Sequence, residues 1–591
     1  MFKMLVESHP DVLKSVDVHG NLPLHCACEN GASVEVINFL VEAYPDALKS
    51  VDTDGNLPLH CACENEASVE VLKILVESYP DALKSVDTDG SLPLHCACEN
   101  EASVEVIKFL AETYPDALKI HGYKNILPLH LACASKASLE VIKVLVEAYL
   151  DALKSVDTDG NLSLHCACEN EASVEVIKFL VESYPDALKS VDTDGNLPLH
   201  GACLTGASLD VIKFLVEAYP DALKIHGYDD MLPLHYGCAT KANLEVIQVL
   251  IEAYPDALKI VNSNSNLPLH CACENGASIE VIKGLVEAYP DAFKIHVDNN
   301  MLPLHCACVC ENGASVEVIK FLVESYPDAL KSVDVYGNLP LHCACENGPS
   351  VDVIKGLVEA YPDALKIHGY KNMLPLHLGC AFKASLEVIK FLVEAYPDAL
   401  KSVDTCGNLP LHCACENGPS VEVTKFLVEA YPDALKIHGY KNMLPLHYGC
   451  ASKASLEVIK CLIEAYPDAL KSVDVHGNLP LHCACDNGAS VDVIKFLVES
   501  YSDALKSVDT DGNLPLHCAC KNGASLEVIK VLVESYPDAL KSVDIYGNLP
   551  LHCACENGAS VEVINFLAET YPDPLKICVQ NLSLLIHWMC H

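Results

Sequence analysis

A four-residue motif, Leu-Pro-Leu-His or a one-letter variant of it, returns along the chain at a fixed interval. Its histidine stands at His25, His60, His95, His130, His165, His200, His235, His270 and His305, then at His342, His377, His412, His447, His482, His517 and His552. Every step is 35 residues except one of 37. A period in this range means that one small supersecondary unit is stacked many times, each copy burying a face that it cannot bury alone. The 591 residues, which by length alone suggest about four globular domains, therefore read as one array. It divides into a partial repeat over 1–16 that supplies only a second helix, sixteen tandem repeats over 17–578 forming one solenoid, and a degenerate truncated repeat over 579–591.

One copy shows how the unit is built. Asp52-Thr53-Asp54-Gly55-Asn56 is turn chemistry, with Gly55 supplying a left-handed residue. Where that glycine is missing the chain places Asn125, Asp230, Ser265, Asn300, Asn372 or Asn442. Asn and Asp are the usual other tenants of that conformation, so the turn is expected to persist. Pro58 suits the first turn of a helix that should end near Asn65. Ser68 can cap a second helix, with Glu70 near its positive end. Val69, Leu72, Leu75, Val76 and Tyr79 form its apolar stripe, and Pro80 ends it. The next residues, Asp81 to Lys84, read as one further turn that returns Leu83 to the core.

Leu-Pro-Leu-His-Cys-Ala-Cys resembles the Thr-Pro-Leu-His-x-Ala-Ala signature of the ankyrin repeat, and the Asp-x-x-Gly turn before it and the second helix after it are similar to that family too. The resemblance runs from about Asp17 to Cys578. It implies an all-α-dominated helix-turn-helix solenoid with short turns or β-hairpin fingers. It also implies a structural histidine bonded to neighbouring backbone, and binding of other proteins along a concave groove and protruding turns. The departures are regular: Leu57 and its equivalents stand where the family has a capping Thr, which should weaken the first helix slightly. Tetratricopeptide repeats lack the proline that opens the first helix. Pentatricopeptide repeats match the period, but as RNA readers they need basic surfaces.

Charge narrows the partners. The chain has 39 basic and 81 acidic side chains, a net charge of −42, and no arginine. Neutralising phosphates takes patches of Lys and Arg, so a nucleic-acid partner is not expected; basic protein segments are favoured by complementarity. No stretch approaches 18 apolar residues, so no membrane span is expected, and the N-terminus lacks the apolar core of a signal peptide.

Sixteen of the 32 cysteines lie three residues after the motif histidine and eleven lie directly after it. Equivalent cysteines in neighbouring repeats stand a helix-packing distance apart, roughly 8–10 Å, against the roughly 7 Å limit for a disulfide. They read as small buried thiols in a reducing, cytoplasmic setting. The alternative is a metal- or redox-responsive Cys/His-rich array, since His25 and Cys28 share a helix face at half-site spacing. Asp52-x-Asp54-Gly55-Asn56 has the flavour of a calcium loop, but Cys63 occupies the place of the bidentate Glu. No nucleotide, zinc-protease or nucleophile-elbow motif is present, so neither an enzyme nor a cofactor is expected.

The copies differ in two ways. Most carry Ser-Val-Asp before the turn; a second type carries Ile-His-Gly-Tyr (His121, His226, His368, His438) and a lysine after the first helix (Lys136, Lys241, Lys383, Lys453), and a hybrid surrounds His296. The position six before the motif histidine varies most, on what the resemblance makes the protruding turn. The candidate binding residues are therefore His19, Asp54, Asp89, Lys124, Tyr336, Lys371, Lys441, His476 and Tyr546. Val309-Cys310 is a two-residue insertion that should lengthen one helix-helix turn.

Overall fold

A computed structural model describes residues 10–571, apart from 311, 312, 314, 349 and 419. The truncated repeat over 579–591, most of the partial repeat over 1–16, and Cys578 and Cys590 lie outside the described residues. Two compact units make up the chain, Met1–Asp298 and Asn299–His591. Within each, a first helix packs on the first helices of neighbouring repeats and a second helix on the second helices. Among the described residues there is no strand.

The repeat around His60 is representative. Its first helix is Pro58–Glu64 and its second Val69–Ser78, followed by a 3-10 turn at Pro80–Lys84. Ser68 caps the second helix through a long bond, 3.5 Å from the Val71 amide; the asparagine at the same place in another copy does better, with Asn243 Oδ1 2.9 Å from the Val246 amide. The apolar face differs by one register step from the sequence expectation. Val71, Leu72, Leu75 and Val76 are buried, whereas Val69 and Tyr79 are only half-buried. The second β-branched residue of the helix, Val71, and not the first, Val69, thus belongs to the buried face. Leu83 does return to the core, 6% exposed. The Lys84–Asp81 pair at 3.1 Å, repeated along the chain, is exposed and adds little stability.

The turn backbone persists as expected. Gly55 has φ +82°, and Asn125, Asp230, Ser265, Asn300, Asn372 and Asn442 lie between 57° and 61°. A second left-handed position, after the first helix, was not anticipated. Glycine holds it in nine copies, Gly31 among them, but Glu66, Glu101, Lys136, Glu171, Lys241, Lys383 and Lys453 hold it in the others. There it closes the helix C-terminus, where glycine is usual and a side chain costs about 1 kcal/mol.

The expected weakness of the first helix is corrected by the motif histidine. Leu57 offers no side-chain acceptor, yet its amide donates to His60 Nδ1 at 3.1 Å. The imidazole thus takes over the cap that the family draws from threonine. Its other nitrogen reaches the next repeat: His60 Nε2 lies 3.1 Å from the Ser85 carbonyl, and the same bond recurs 25 residues on in most copies, as for His200 and Ile225. An Nδ1 that accepts leaves the proton on Nε2 to donate, so each ring bonded in this way is a neutral staple between repeats; His270 makes only the Nε2 bond, its Nδ1 being buried without a partner. Across the insertion the bond from His305 spans 27 residues, to the Ser332 carbonyl, so Val309-Cys310 is absorbed in the intervening turn and the staple is kept.

Candidate interaction surface

In the common repeat the finger organises itself. Asp52 Oδ1 accepts the amides of Asp54 and Asn56 at 2.9 and 2.8 Å, and Asp52 Oδ2 accepts Asn56 Nδ2 at 3.2 Å. A backbone bond from the Asp52 amide to the Asn56 carbonyl closes the hairpin. Neighbouring fingers are tied through the variable position itself, because its carbonyl accepts an amide from the next finger: Thr88 to Asp54 at 2.9 Å, Thr405 to Lys371 at 2.8 Å, Thr510 to His476 at 2.8 Å. Any side chain can occupy a position used through its carbonyl. All nine candidate residues are exposed, Tyr546 most of the tyrosines at 72%.

The second type has glycine where the organising aspartate stood, and its finger is held by its neighbours. The Tyr440 amide donates to Asn408 Oδ1 at 2.9 Å, and Tyr448 donates its hydroxyl to the same oxygen at 2.8 Å. Tyr370 uses Asn338 and Tyr228 uses Asn196 in the same way. A Cβ on Gly227, Gly369 or Gly439 would overlap those amide oxygens, so glycine is there for space. On the far side, His438 bonds the Ser472 hydroxyl at 3.2 Å and Asn442 Nδ2 donates to the Val473 carbonyl at 2.9 Å. The copy around His226 shows the dependence by exception. The next repeat has Ile260 in place of the serine, and His226 turns back to donate to its own Asp230 carbonyl at 2.9 Å. Lys124, Lys371 and Lys441 are themselves left-handed, at 52°, 53° and 55°, and each ammonium sits over the ring of the preceding tyrosine. Tyr336 and Tyr370 meet edge to face with centroids 5.5 Å apart.

In nine of the sixteen copies the end of the first helix carries an acid, making an interrupted column of acids within each unit. Burial raises the carboxyls of Glu64, Glu274, Glu346, Glu416 and Asp486, and pushes Glu169 up to about 7, with Asp192, Asp157 and Asp159 adding repulsion.

The histidine and cysteine rows behave as core. The motif histidines from His25 to His517 are essentially unexposed, His552 is half-buried, and burial holds His95, His200 and His342 down at about 4. Burial pushes the Cys28 and Cys203 thiols up to about 12 and Cys63 well above its ordinary value, which suppresses the reactive thiolate. Among the described residues no three His, Cys, Asp or Glu side chains are grouped to hold a metal, and no helix is long and apolar enough to cross a membrane.

The sequence matches the family model of ankyrin repeats, three copies to a match, over residues 1–85, 24–121, 129–226, 199–295, 290–368, 376–473 and 481–577. The chain belongs to the ankyrin repeat family. Curated proteins give no match. Among solved structures it is similar to the ankyrin repeat domain of Bcl-3, titled a unique member of the IkappaB protein family, with 24% identity over 39% of this chain and 98% of that one and a TM-score of 0.32. Ankyrin repeats are generally protein–protein interaction modules, and proteins built of them are typically non-enzymatic.

Proposed function

We propose that the protein is a non-catalytic scaffold, one solenoid over 17–578, that binds other proteins along its concave groove and turn tips in a reducing, cytoplasmic setting. Its favoured partners carry basic segments. The acid column carries this reading: Glu169, with a carboxyl at about 7, is an anionic position crowded by other acids and short of a cation. A partner's positive charge relieves that repulsion and restores ionisation, so binding of a cation is coupled to loss of a proton there. The variable tips, held through their backbones, then select among basic partners.

The test replaces Glu64, Glu169, Glu274, Glu346 and Glu416 with Gln and Asp486 with Asn, and measures binding of a fluorescein-labelled lysine-rich peptide by anisotropy. At least a tenfold loss of affinity is expected, with thermal stability kept or raised. Unchanged affinity would sink the groove as the binding face.

A further inference from the structure

The amide oxygens of Asn56 and Asn161 are buried without a hydrogen-bond partner, a state that costs about 1–3 kcal/mol apiece. Their amide nitrogens are already committed, each to the aspartate of its own turn at 3.2 Å (Asp52, Asp157). The equivalent oxygen is satisfied elsewhere in the chain in two ways. Ahead of a second-type repeat it accepts a tyrosine amide, as at Asn196, Asn338 and Asn408. At Asn513 it accepts an ammonium group.

That ammonium belongs to Lys521, which ends its first helix where half of the copies carry glutamate. Lys521 Nζ lies 2.7 Å from Asn513 Oδ1 and 3.6 Å from Asp544 Oδ2 of the following repeat, whose side chain is fully buried. The same frame exists at the two orphaned oxygens with the cation missing. Asn56 has Glu64 in the place of Lys521 and Asp87 in the place of Asp544; Asn161 has Glu169 and Asp192. Each frame offers an amide oxygen and two carboxylates, and a primary ammonium has three hydrogens to donate.

We propose that the Asn56–Glu64–Asp87 and Asn161–Glu169–Asp192 junctions are lysine pockets, each taking the ammonium group of a partner's lysine where Lys521 fills its own frame from within. The proposal rests on the groove reading and narrows it to one side-chain chemistry at two places. The pockets stand three repeats apart, roughly 24–30 Å at the spacing of packed helices, which an extended segment covers in about eight residues.

The experiment compares the full chain with E64K/E169K, E64Q/E169Q and, as a charge-matched control on the exposed second helices, E77K/E182K. The probe is a fluorescein-labelled Gly/Ser peptide with two lysines eight residues apart, and the same peptide with both lysines acetylated. E64K/E169K should melt above E64Q/E169Q, because a lysine satisfies the orphaned oxygen and a glutamine only removes repulsion. It should also lose at least tenfold in peptide affinity while E77K/E182K keeps most of it, and acetylation should cost at least tenfold on the unaltered chain. A lysine variant no more stable than the glutamine variant overturns the pockets. So does a peptide that binds E64K/E169K and the unaltered chain equally, an outcome that leaves the groove reading standing; no lysine-peptide binding to any form overturns both.

Discussion

Between pH 6.5 and 4 the array is expected to lose its helix content in a steep transition, followed by far-ultraviolet circular dichroism. Burial holds His95, His200, His235, His270, His342, His377, His412 and His447 at about 4 in the folded chain, against a reference of 6.5. A base with a depressed folded pKa stabilises fully above its unfolded value and loses that contribution as the pH falls toward the folded value. At pH 5.5 each such histidine has given up about 1.4 kcal/mol, because the unfolded ring takes a proton that the folded ring refuses. Eight of them forfeit about 11 kcal/mol, comparable to the whole stability of an ordinary domain. Glu169 acts in the opposite sense, since its raised carboxyl favours the folded state in acid, but such groups are fewer and less buried. An acid midpoint below pH 4 would contradict the assignment of these rings as neutral staples.

The order of the two repeat types should matter as much as their number. Removing residues 386–420 joins Ser385 to Val421 in perfect register and sets the finger of Tyr440 directly behind another second-type repeat. Met373 then stands where Asn408 had been, so the Tyr440 amide and the Tyr448 hydroxyl lose their acceptor. Ile437 replaces Ser402, the hydroxyl that His368 bonds at 3.2 Å. The Tyr440 amide and the Tyr448 hydroxyl, which keeps only its longer bond to the Tyr440 carbonyl, lose a half-buried acceptor at about 1–3 kcal/mol each, while the exposed His368 turns to water, for an expected loss of about 2–6 kcal/mol at the junction. Removing residues 69–103 deletes the same length but places Asn56 ahead of Tyr123, an asparagine where Ser91 had stood, and breaks no such contact. Urea unfolding should therefore separate the two deletions by several kcal/mol. Equal stability would mean that fingers of the second type organise themselves.

This interlock explains why part of the fold was legible in the sequence and part was not. Turn glycine and its Asn or Asp stand-ins, the proline stops and the return of Leu83 are local chemistry, decided within a few residues. The Tyr440–Asn408 bond joins positions 32 apart and has no periodic signature, because the asparagine also serves its own turn in most of the common repeats. The cap on the first helix was hidden for another reason: the residue that supplies it, His60, reads as a contact to the neighbouring repeat, and only the geometry shows that one ring does both. The exposed tips are marked in the sequence by their variability, whereas the acids are not, since a glutamate ending a short helix resembles any solvated charge until its neighbours are in place. Lys521 is an available signal, a lysine where half of the copies carry glutamate.

The scaffold reading turns on whether the groove carboxyls take up a partner's positive charge. Isothermal titration of the lysine-rich peptide at pH 7, in two buffers of different ionisation enthalpy, measures this through the protons exchanged on binding. Glu169, with its carboxyl at about 7 in the free chain, is about half protonated there and must ionise beside a bound cation. The account predicts net proton release that disappears in Glu169→Gln, and affinity that rises as the pH climbs through 7. Binding with no proton release, or with release unchanged in that variant, would contradict it.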